Sequence, residues 1–298
     1  MITVFGSINL DLVVAVARLP ERGETVIGPD HQAFSGGKGA NQALAARRAG
    51  SSVQMVGAVG QDAFAAPALT GLHDAGVRLD TVRRLEGATG LAFIGVEASG
   101  ENQIIVASGV NTRVSADWLQ SGLASEDIVL MQGELPEAEL MSAVELVHAA
   151  DATLIWNPAP VPSFKCAALV GDVDILVVNQ GEAEELAALL GLPSEPESFV
   201  SAFPKDDLLV VVTMGADGIC AGKGAQRFRI KAPSIDVHDT TGAGDAFCGA
   251  LAAAIDRGDQ AEAALKQAVA AGSLACTVTG AQSSAPSQGD IQKLAAQL

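Results

Sequence analysis

The stretch DILVVNQGEAEELAALL, residues 174–190, reads as a strand and a helix written back to back. Ile175 to Val178 form an unbroken apolar run, as expected of a strand covered on both faces. After Asn179 the pattern changes, and Glu, Ala and Leu follow at helical spacing over 181–191. Working outward, the same unit recurs. ITVF (2–5), VQMVGAV (53–59), DIVLM (127–131), TLIW (153–156) and LLVVVT (208–213) read as further strands. Helical patterns fall near 39–49, 62–75 and 136–149, and the chain from Gly242 on reads as mainly helical. Strand–helix alternation of this kind predicts an α/β fold, a mostly parallel, doubly wound sheet with helices on both faces.

Two segments break the rhythm. Residues 11–35 have no helical pattern and carry Pro20, Gly23, Gly28 and Pro29. Residues 89–108, TGLAFIGVEASGENQIIVAS, read as two strands joined at SGEN, a hairpin-type turn. The two segments are expected to form one small β-sheet beside the main domain; the other reading is a pair of separate surface hairpins. LPSEPESF (192–199) reads as a loop. The chain, 1–298, is thus expected to be a single α/β domain with β-insertions at about 11–35 and 89–108.

Composition narrows the classes. With 49% hydrophobic residues the chain can bury a large core, and with 4% aromatics and no tyrosine that core must be aliphatic. Eighteen basic residues against 35 acidic ones leave a net charge of −17. A surface so acidic repels phosphate backbones, so no nucleic-acid partner is expected, although local dipoles can still hold a small anion. Cys166, Cys220, Cys248 and Cys276 lie far apart, with no CxxC or Cys/His zinc spacing. Three of them sit in apolar runs and read as buried small hydrophobes, and a reducing cytoplasm is expected. The start, MITVFGSIN, is strand-like with no basic n-region, so no signal peptide is expected. No apolar run is long enough to span a bilayer, so no membrane partner is expected either.

Parallel sheets bind ligands beyond the carboxyl ends of their strands. Behind the predicted strands stand Gly6-Ser7-Ile8-Asn9-Leu10-Asp11, Gln132-Gly133-Glu134, Asn157-Pro158, Asn179 with Glu182, and Met214-Gly215-Ala216-Asp217-Gly218. One such residue would be a cap or turn; five strand ends together predict a site along one edge of the sheet. FSGGKGANQALAARRAG (34–50) adds a glycine loop in which Gly36, Gly37 and Gly39 permit close approach of a ligand, with Lys38 and Asn41 at the following helix start. It is not a GxxxxGK[ST] loop, and no strand is followed by GxGxxG.

DTTGAGDAF (239–247) sets aspartates on both sides of small residues before a helix. Gly242, Ala243 and Gly244 leave backbone N–H groups bare at the helix N-terminus, an anion hole. Asp245 in the first turn would repel a bound phosphate unless it faces an incoming hydroxyl. That arrangement suits phosphoryl transfer, in which an aspartate accepts the alcohol proton. Asp239, six residues upstream, is better placed to hold the loop or a cation.

GSINLD, GGKGANQA, VGAVGQD, MQGELP, NPAP, NQGEAEEL, TMGADG and DTTGAGDAF occur in this order along essentially the whole chain. With them the sequence resembles the PfkB carbohydrate kinases, most closely the ribokinase branch of that family. The resemblance implies an αβα sandwich in which the small β-sheet is a lid. It implies ATP-dependent phosphorylation of a sugar hydroxymethyl group, of ribose at O5; deoxyribose, another sugar or a nucleoside is the alternative, and a catalytically silent sugar-binding protein the reading from another class. It implies that Asn9, Asp11, Gly37, Lys38, Asn41 and Glu134 contact the sugar and that Asp245 is the base beside the Gly242–Ala243–Gly244 anion hole. Thr213, Gly215 and Gly218 would border the nucleotide, and Asn179 and Glu182 would organise phosphate and magnesium through water. Asp239 and Thr241, with carbonyls near Val278–Ser283, would hold a monovalent cation, potassium. Two positions depart from the family pattern. Val278 stands where relatives place Arg, and Val269 where they often place Asn or His beside the adenine.

One more expectation comes from patterning. LAFIGVE and NQIIVAS alternate polar and apolar residues, which leaves the lid with an apolar face that would be wet in a monomer. A homodimer in which two lids cover one another is the simplest remedy.

Overall fold

Strands that are apolar on both faces are satisfied only between two layers of helices, and the computed structural model has that architecture. It describes residues 1–99, 101–120, 122–203 and 205–298. The chain runs through β1 (Ile2–Phe5), β2 (Asn9–Val16), β3 (His31–Gly36), α1 (Lys38–Arg48), β4 (Val53–Gly60), α2 (Ala65–Ala75), β5 (Val82–Leu85), β6 (Gly90–Glu97) and β7 (Asn102–Ala107). It continues with β8 (Ile128–Met131), α3 (Glu137–Ala149), β9 (Thr153–Trp156), α4 (Phe164–Ala167), β10 (Ile175–Asn179), α5 (Gln180–Leu190) and α6 (Pro196–Ser201). It ends with β11 (Leu209–Thr213), β12 (Ile219–Lys223), β13 (Gln226–Ile230), α7 (Ala243–Asp256), α8 (Ala261–Ala275), α9 (Ala281–Ser284) and α10 (Gln288–Ala295).

Nine strands form the main sheet in the order β13-β12-β11-β10-β9-β8-β1-β4-β5. It is parallel from β5 to β11, and β12 and β13 add to one edge as antiparallel strands. Side chains alternate between two cores, as a period of two requires. Ile128 and Leu130 of β8 face the layer of α1, α7 and α8, whereas Val129 and Met131 face that of α3 and α5. The α7 helix lies directly on α1. A Cβ at Gly249 would stand 2.6 Å from the Ala45 Cβ and 2.6 Å from the Ala46 nitrogen, so only glycine allows this closeness.

The second sheet has four strands in the order β3-β2-β6-β7, built from the two segments that broke the strand–helix rhythm. The strand β2 begins at Asn9, so Asn9 and Asp11 belong to the lid sheet itself. Gly100, in the expected SGEN turn, lies outside the described residues; on either side of it Glu97 donates its N–H to the Glu101 carbonyl at 2.9 Å. The stretch 192–199 is not wholly a loop. α6 starts at Pro196, with Pro at its first position and the Glu195 carboxylate accepting the Ser198 N–H, a helix start that the surrounding polar residues conceal. β5, β12 and β13, all at or next to the sheet edges, carry Arg, Gln, Lys or Gly and so lacked the apolar signal of the central strands. Among the described residues no helix is long and apolar enough to cross a membrane.

Candidate active site

Two helix starts meet at the carboxyl edge of the sheet, and their backbones differ in a decisive way. At α1 the first three N–H groups are taken. Lys38 donates to Glu134 Oε2 at 3.0 Å, Gly39 to Ser7 Oγ at 3.4 Å and Ala40 to the Ser7 carbonyl at 3.0 Å, and the Ser7 hydroxyl in turn donates to Glu134. At α7, Ala243 N–H turns back to the Thr240 carbonyl at 3.2 Å, but the N–H groups of Gly242, Gly244 and Asp245 have no acceptor among the described residues. Gly242 caps the helix with φ 75°, the left-handed region open to glycine, and a Cβ there would meet the Ala281 Cα at 2.7 Å. Of the two glycine loops, then, the one at 242–244 presents free donors to an anion.

Asp245 is buried beside those donors, with 8% of its surface exposed. Its Oδ2 accepts from Asn41 Nδ2 at 3.0 Å and its Oδ1 from Gln42 Nε2 at 3.0 Å. Asn41 keeps its Oδ1 buried without a partner among the described residues, an acceptor that would cost roughly 1–3 kcal/mol unless a ligand hydroxyl or water meets it. Asn9 is buried too, and its Oδ1 accepts from Asn111 Nδ2 at 2.8 Å, which turns the Asn9 amide NH2 away from that contact. Asp11 packs over Gly36, where a Cβ would lie 2.2 Å from Oδ2. Burial, followed by the negative charges of Glu134 and Asp245, pushes the Asp11 carboxyl up to about 6. Burial pulls the Lys38 ammonium down, but Asp245, Glu134 and Glu182 outweigh it and hold the pKa above the ordinary lysine value. Several carboxylates and one buried ammonium thus share a small volume.

Two connected spaces open onto α7. A cleft of about 610 Å³ is bordered by Thr213, Gly215, Gly218, Ala243, Gly244 and Val269, with further apolar side chains behind them. A hollow of about 220 Å³ is lined by Lys38, Asn179, Glu182, Gly242, Gly244 and Asp245, among others. Thr213, Thr240 and Gly244 border both. Asn179 and Glu182 form a reciprocal cap at the start of α5: Asn179 Oδ1 accepts the Glu182 N–H and Glu182 Oε2 accepts the Asn179 N–H, each at 2.8 Å. Burial raises the Glu182 carboxyl above its usual range despite the Asn179 bond and the charge of Lys38. Among the described residues no three His, Cys, Asp or Glu side chains gather to hold a metal by themselves. One carboxylate with water and substrate phosphates is an ordinary magnesium arrangement, and Glu182 beside the hollow fits it.

Asp239 lies outside these spaces and ties two loops together. Its Oδ1 accepts the Thr241 N–H at 2.8 Å and its Oδ2 the Gly280 N–H at 2.8 Å. Partial burial opposes its ionisation, but the hydrogen bonds from Thr241 and Gly280 win and lower its pKa. The turn that follows, bearing the exposed Val278, is held from the far side by Arg48, whose Nη1 donates to the carbonyls of Gln282, Ser283 and Ala285 at 2.8–3.1 Å.

The fold therefore gathers Asn9, Asp11, Gly37, Lys38, Asn41, Glu134, Asn179, Glu182, Gly242, Ala243, Gly244 and Asp245 along one edge, with Thr213, Gly215 and Gly218 on the large cleft. Lys38 borders the hollow shared with Asn179 and Glu182. Reading the sequence passed over Gln42, Asn111 and Arg48. Gln42 and Arg48 stand inside the 34–50 stretch, but on a helix only the tertiary partner distinguishes a functional amide from a surface one.

A family model described as pfkB family carbohydrate kinase matches residues 1–288. The chain is similar to a ribokinase of Bacillus subtilis (strain 168), 35% identical over 297 residues that cover 98% of each protein. It is also similar to a deoxyribokinase of Salmonella typhi, 32% identical over 297 residues, 96% of this chain and 95% of the other. Among solved structures, Arabidopsis thaliana ribokinase complexed with ribose and ATP superposes with a TM-score of 0.85 at 31% identity, covering 99% of this chain and 98% of that one.

Proposed function

The chain belongs to the pfkB family of carbohydrate kinases, and from that premise we propose that it transfers the γ-phosphoryl group of ATP to the 5-hydroxymethyl oxygen of D-ribose. The observation that carries the proposal is the pairing at the start of α7. The buried carboxylate of Asp245 adjoins the N–H groups of Gly242 and Gly244, which have no acceptor among the described residues. Sugar binding alone needs no such pair, whereas phosphoryl transfer needs both a proton acceptor and donors for developing charge.

In this reading the nucleotide lies in the large cleft with its terminal phosphates over α7. The sugar lies under the lid between Asn9, Asp11 and Asn41, within reach of Lys38 and Glu134. The sugar oxygen attacks the γ-phosphorus, the bond from that phosphorus to the ADP oxygen breaks, and the hydroxyl proton passes to Asp245. The N–H groups of α7 face the oxygens of the moving phosphoryl group, and Lys38 offsets their charge from the side. Closure of the lid excludes water, which would otherwise compete as acceptor. Magnesium supplies neutralisation of the phosphate oxygens, and its water shell would be held by Glu182 and Asn179. A potassium ion would be held by Asp239, Thr241 and carbonyls of the Val278–Ser283 turn, where it would brace the anion hole. The partners are thus small molecules, in a cytoplasm that supplies ATP and keeps the four cysteines reduced.

The lid also supports assembly as a homodimer. Ile105 of β7 pairs with Phe93 of β6 on the sheet face opposite Asp11, and the two are 70% and 46% exposed. A second copy applied about a two-fold axis would cover this apolar surface and brace Asn9 and Asp11. Light scattering at micromolar concentration tests it; a fully active monomer excludes it.

The similarity to a deoxyribokinase gives deoxyribose as the second reading. Coupled measurement of ADP formation with ribose, deoxyribose, hexoses and nucleosides decides between them. The highest kcat/KM is expected with ribose. A higher value with deoxyribose or a nucleoside would reassign the substrate, and no sugar-dependent ADP with any of them would leave a binding protein.

A further inference from the structure

Gln42 is fully buried, yet it makes no bond to its own helix. It stands in the middle of a chain of side-chain amides that runs from the sheet to Asp245. Gln132, just past β8, donates from Nε2 to Gln42 Oε1 at 2.8 Å. Gln42 Nε2 donates to Asn157 Oδ1 at 3.1 Å and to Asp245 Oδ1 at 3.0 Å. Asn157, just past β9, donates from Nδ2 to the Val177 carbonyl of β10 at 2.9 Å. Strands β9 and β10 stop pairing at Trp156 and Leu176, so the Asn157 side chain takes the carbonyl where the ladder ends.

The direction of this chain is not arbitrary. An amide side chain can rotate to exchange its oxygen and nitrogen, but a backbone carbonyl can only accept. The Val177 carbonyl therefore requires the Asn157 nitrogen, which turns Asn157 Oδ1 toward Gln42. Gln42 must answer with its nitrogen, and Gln132 satisfies the oxygen left at its other end. The only orientation consistent with every contact gives Asp245 a donor on Oδ1, while Asn41 supplies the donor on Oδ2. Both donors come from adjacent residues of α1, which Gly249 allows to lie against α7. Each carboxylate oxygen keeps lone-pair capacity for the substrate, but the carboxylate can no longer rotate.

We infer that Gln42 is a positioning residue for the phosphoryl acceptor step: through the Gln132–Gln42–Asn157 amide chain, the carbonyl edge of the sheet sets the angle at which Asp245 meets the sugar hydroxyl. This rests on the kinase reading above. Gln42 touches neither the large cleft nor the hollow. Its loss should therefore appear in turnover and not in the binding of either substrate.

The test is a cycle of Gln42→Met, Gln132→Met and the double variant, with kcat, both KM values and thermal melting measured alongside the wild type and Asp245→Asn. Gln42→Met is expected to lower kcat roughly 10–100-fold, the scale of one hydrogen bond to a charged group, with sugar and ATP KM within about threefold of wild type. Gln132→Met is expected to lower kcat about threefold to tenfold in the wild-type background and hardly at all once Gln42 is gone, because its effect passes through Gln42. A kcat for Gln42→Met within about threefold of wild type overturns the inference, as does a loss that follows KM and melting temperature. Should Gln42→Met not fold, Gln132→Met decides alone: reduced kcat at unchanged KM supports the chain, and unchanged kcat refutes it. A wild type with no sugar-dependent ADP formation would remove the kinase reading and this role with it, whereas an active wild type with unaffected variants removes only this role.

Discussion

The two sheets of the molecule obey the same alternation in opposite circumstances. In the nine-strand sheet β8, β10 and β11 bury both faces, and the helices on each side leave them no freedom. In the four-strand lid β7 is exposed along its whole length and β2 is buried only at its first two residues. Asp245 and the bare N–H groups of α7 stand on the rigid side, held through α1. Asn9 and Asp11 stand on the lid, at the end that joins the main body. On the kinase reading proposed above this is a division of labour: the group that would need a fixed angle lies between packed helices, and the groups that would admit and then enclose a sugar lie on an element with few buried contacts, where local opening is cheap.

Substitutions on the two sides should therefore fail differently. The largest effect is expected from Asp245→Asn, which keeps the shape and removes the proposed proton acceptor. Turnover should fall about 10²–10⁴-fold while sugar binding measured by calorimetry persists. A kcat within tenfold of wild type would take Asp245 out of the base role. Next comes Gly242→Ala. Its new Cβ would stand 2.7 Å from the Ala281 Cα at φ 75°, so the start of α7 must shift and the anion hole with it. A loss of about 10²-fold in kcat together with a lower melting temperature is expected, the scale of one lost donor to transition-state charge. Retained activity in Gly242→Ala would mean that the bare N–H groups do not face the phosphoryl group.

On the lid side Asp11→Asn should raise the sugar KM roughly tenfold or more with a smaller change in kcat. Stability should move the other way. The Asp11 carboxyl titrates near 6 in the folded protein against 3.8 for the free group. Between those values the folded state holds more protons than the unfolded one, so stability falls as pH rises through the window, and above it the buried charge is a standing cost. Asp11→Asn should then melt higher than wild type at pH 8 and level with it at pH 4. An equal melting difference at both would show that Asp11 is not strained by its neighbours. The smallest effect is expected from Ile105→Asp. Ile105 is 70% exposed and pairs with Phe93, on the sheet face opposite Asp11, so the new charge does not enter the sugar site directly. It should convert a dimer to monomer and raise the sugar KM a few-fold, on the order of 1 kcal/mol or less, while kcat at saturation holds. An unchanged oligomeric state would separate the lid from assembly.

How much of this was open to sequence reading depended on how local the signal was. The central strands announced themselves because being covered on both faces demands unbroken apolar runs such as Leu209 to Val212. β12 and β13 did not, because strands at the antiparallel edge tolerate Gly222, Arg227 and Arg229, and α6 was masked by the polar residues that start it. Gly242, Gly244 and Asp245 stood out as a loop and helix start within a few residues. Glycine at a left-handed cap and bare donors at a helix end are properties of the chain itself.

Periodicity and turn chemistry act between near neighbours, so the layered α/β architecture, the two β-insertions and the polar residues at the strand ends are all legible along the chain. Which of those residues cooperate depends on long-range packing. Gln42 and Asp245 are 203 positions apart and Asn41 and Asp245 204 apart, and Asn9 is turned by Asn111 from 102 positions away. Nothing in local spacing distinguishes the free N–H groups of α7 from the occupied ones of α1, because both follow glycine. The partners that fill one set and spare the other arrive from the turns after β1 and β8, and a hydrogen bond is settled by which groups packing brings within about 3 Å.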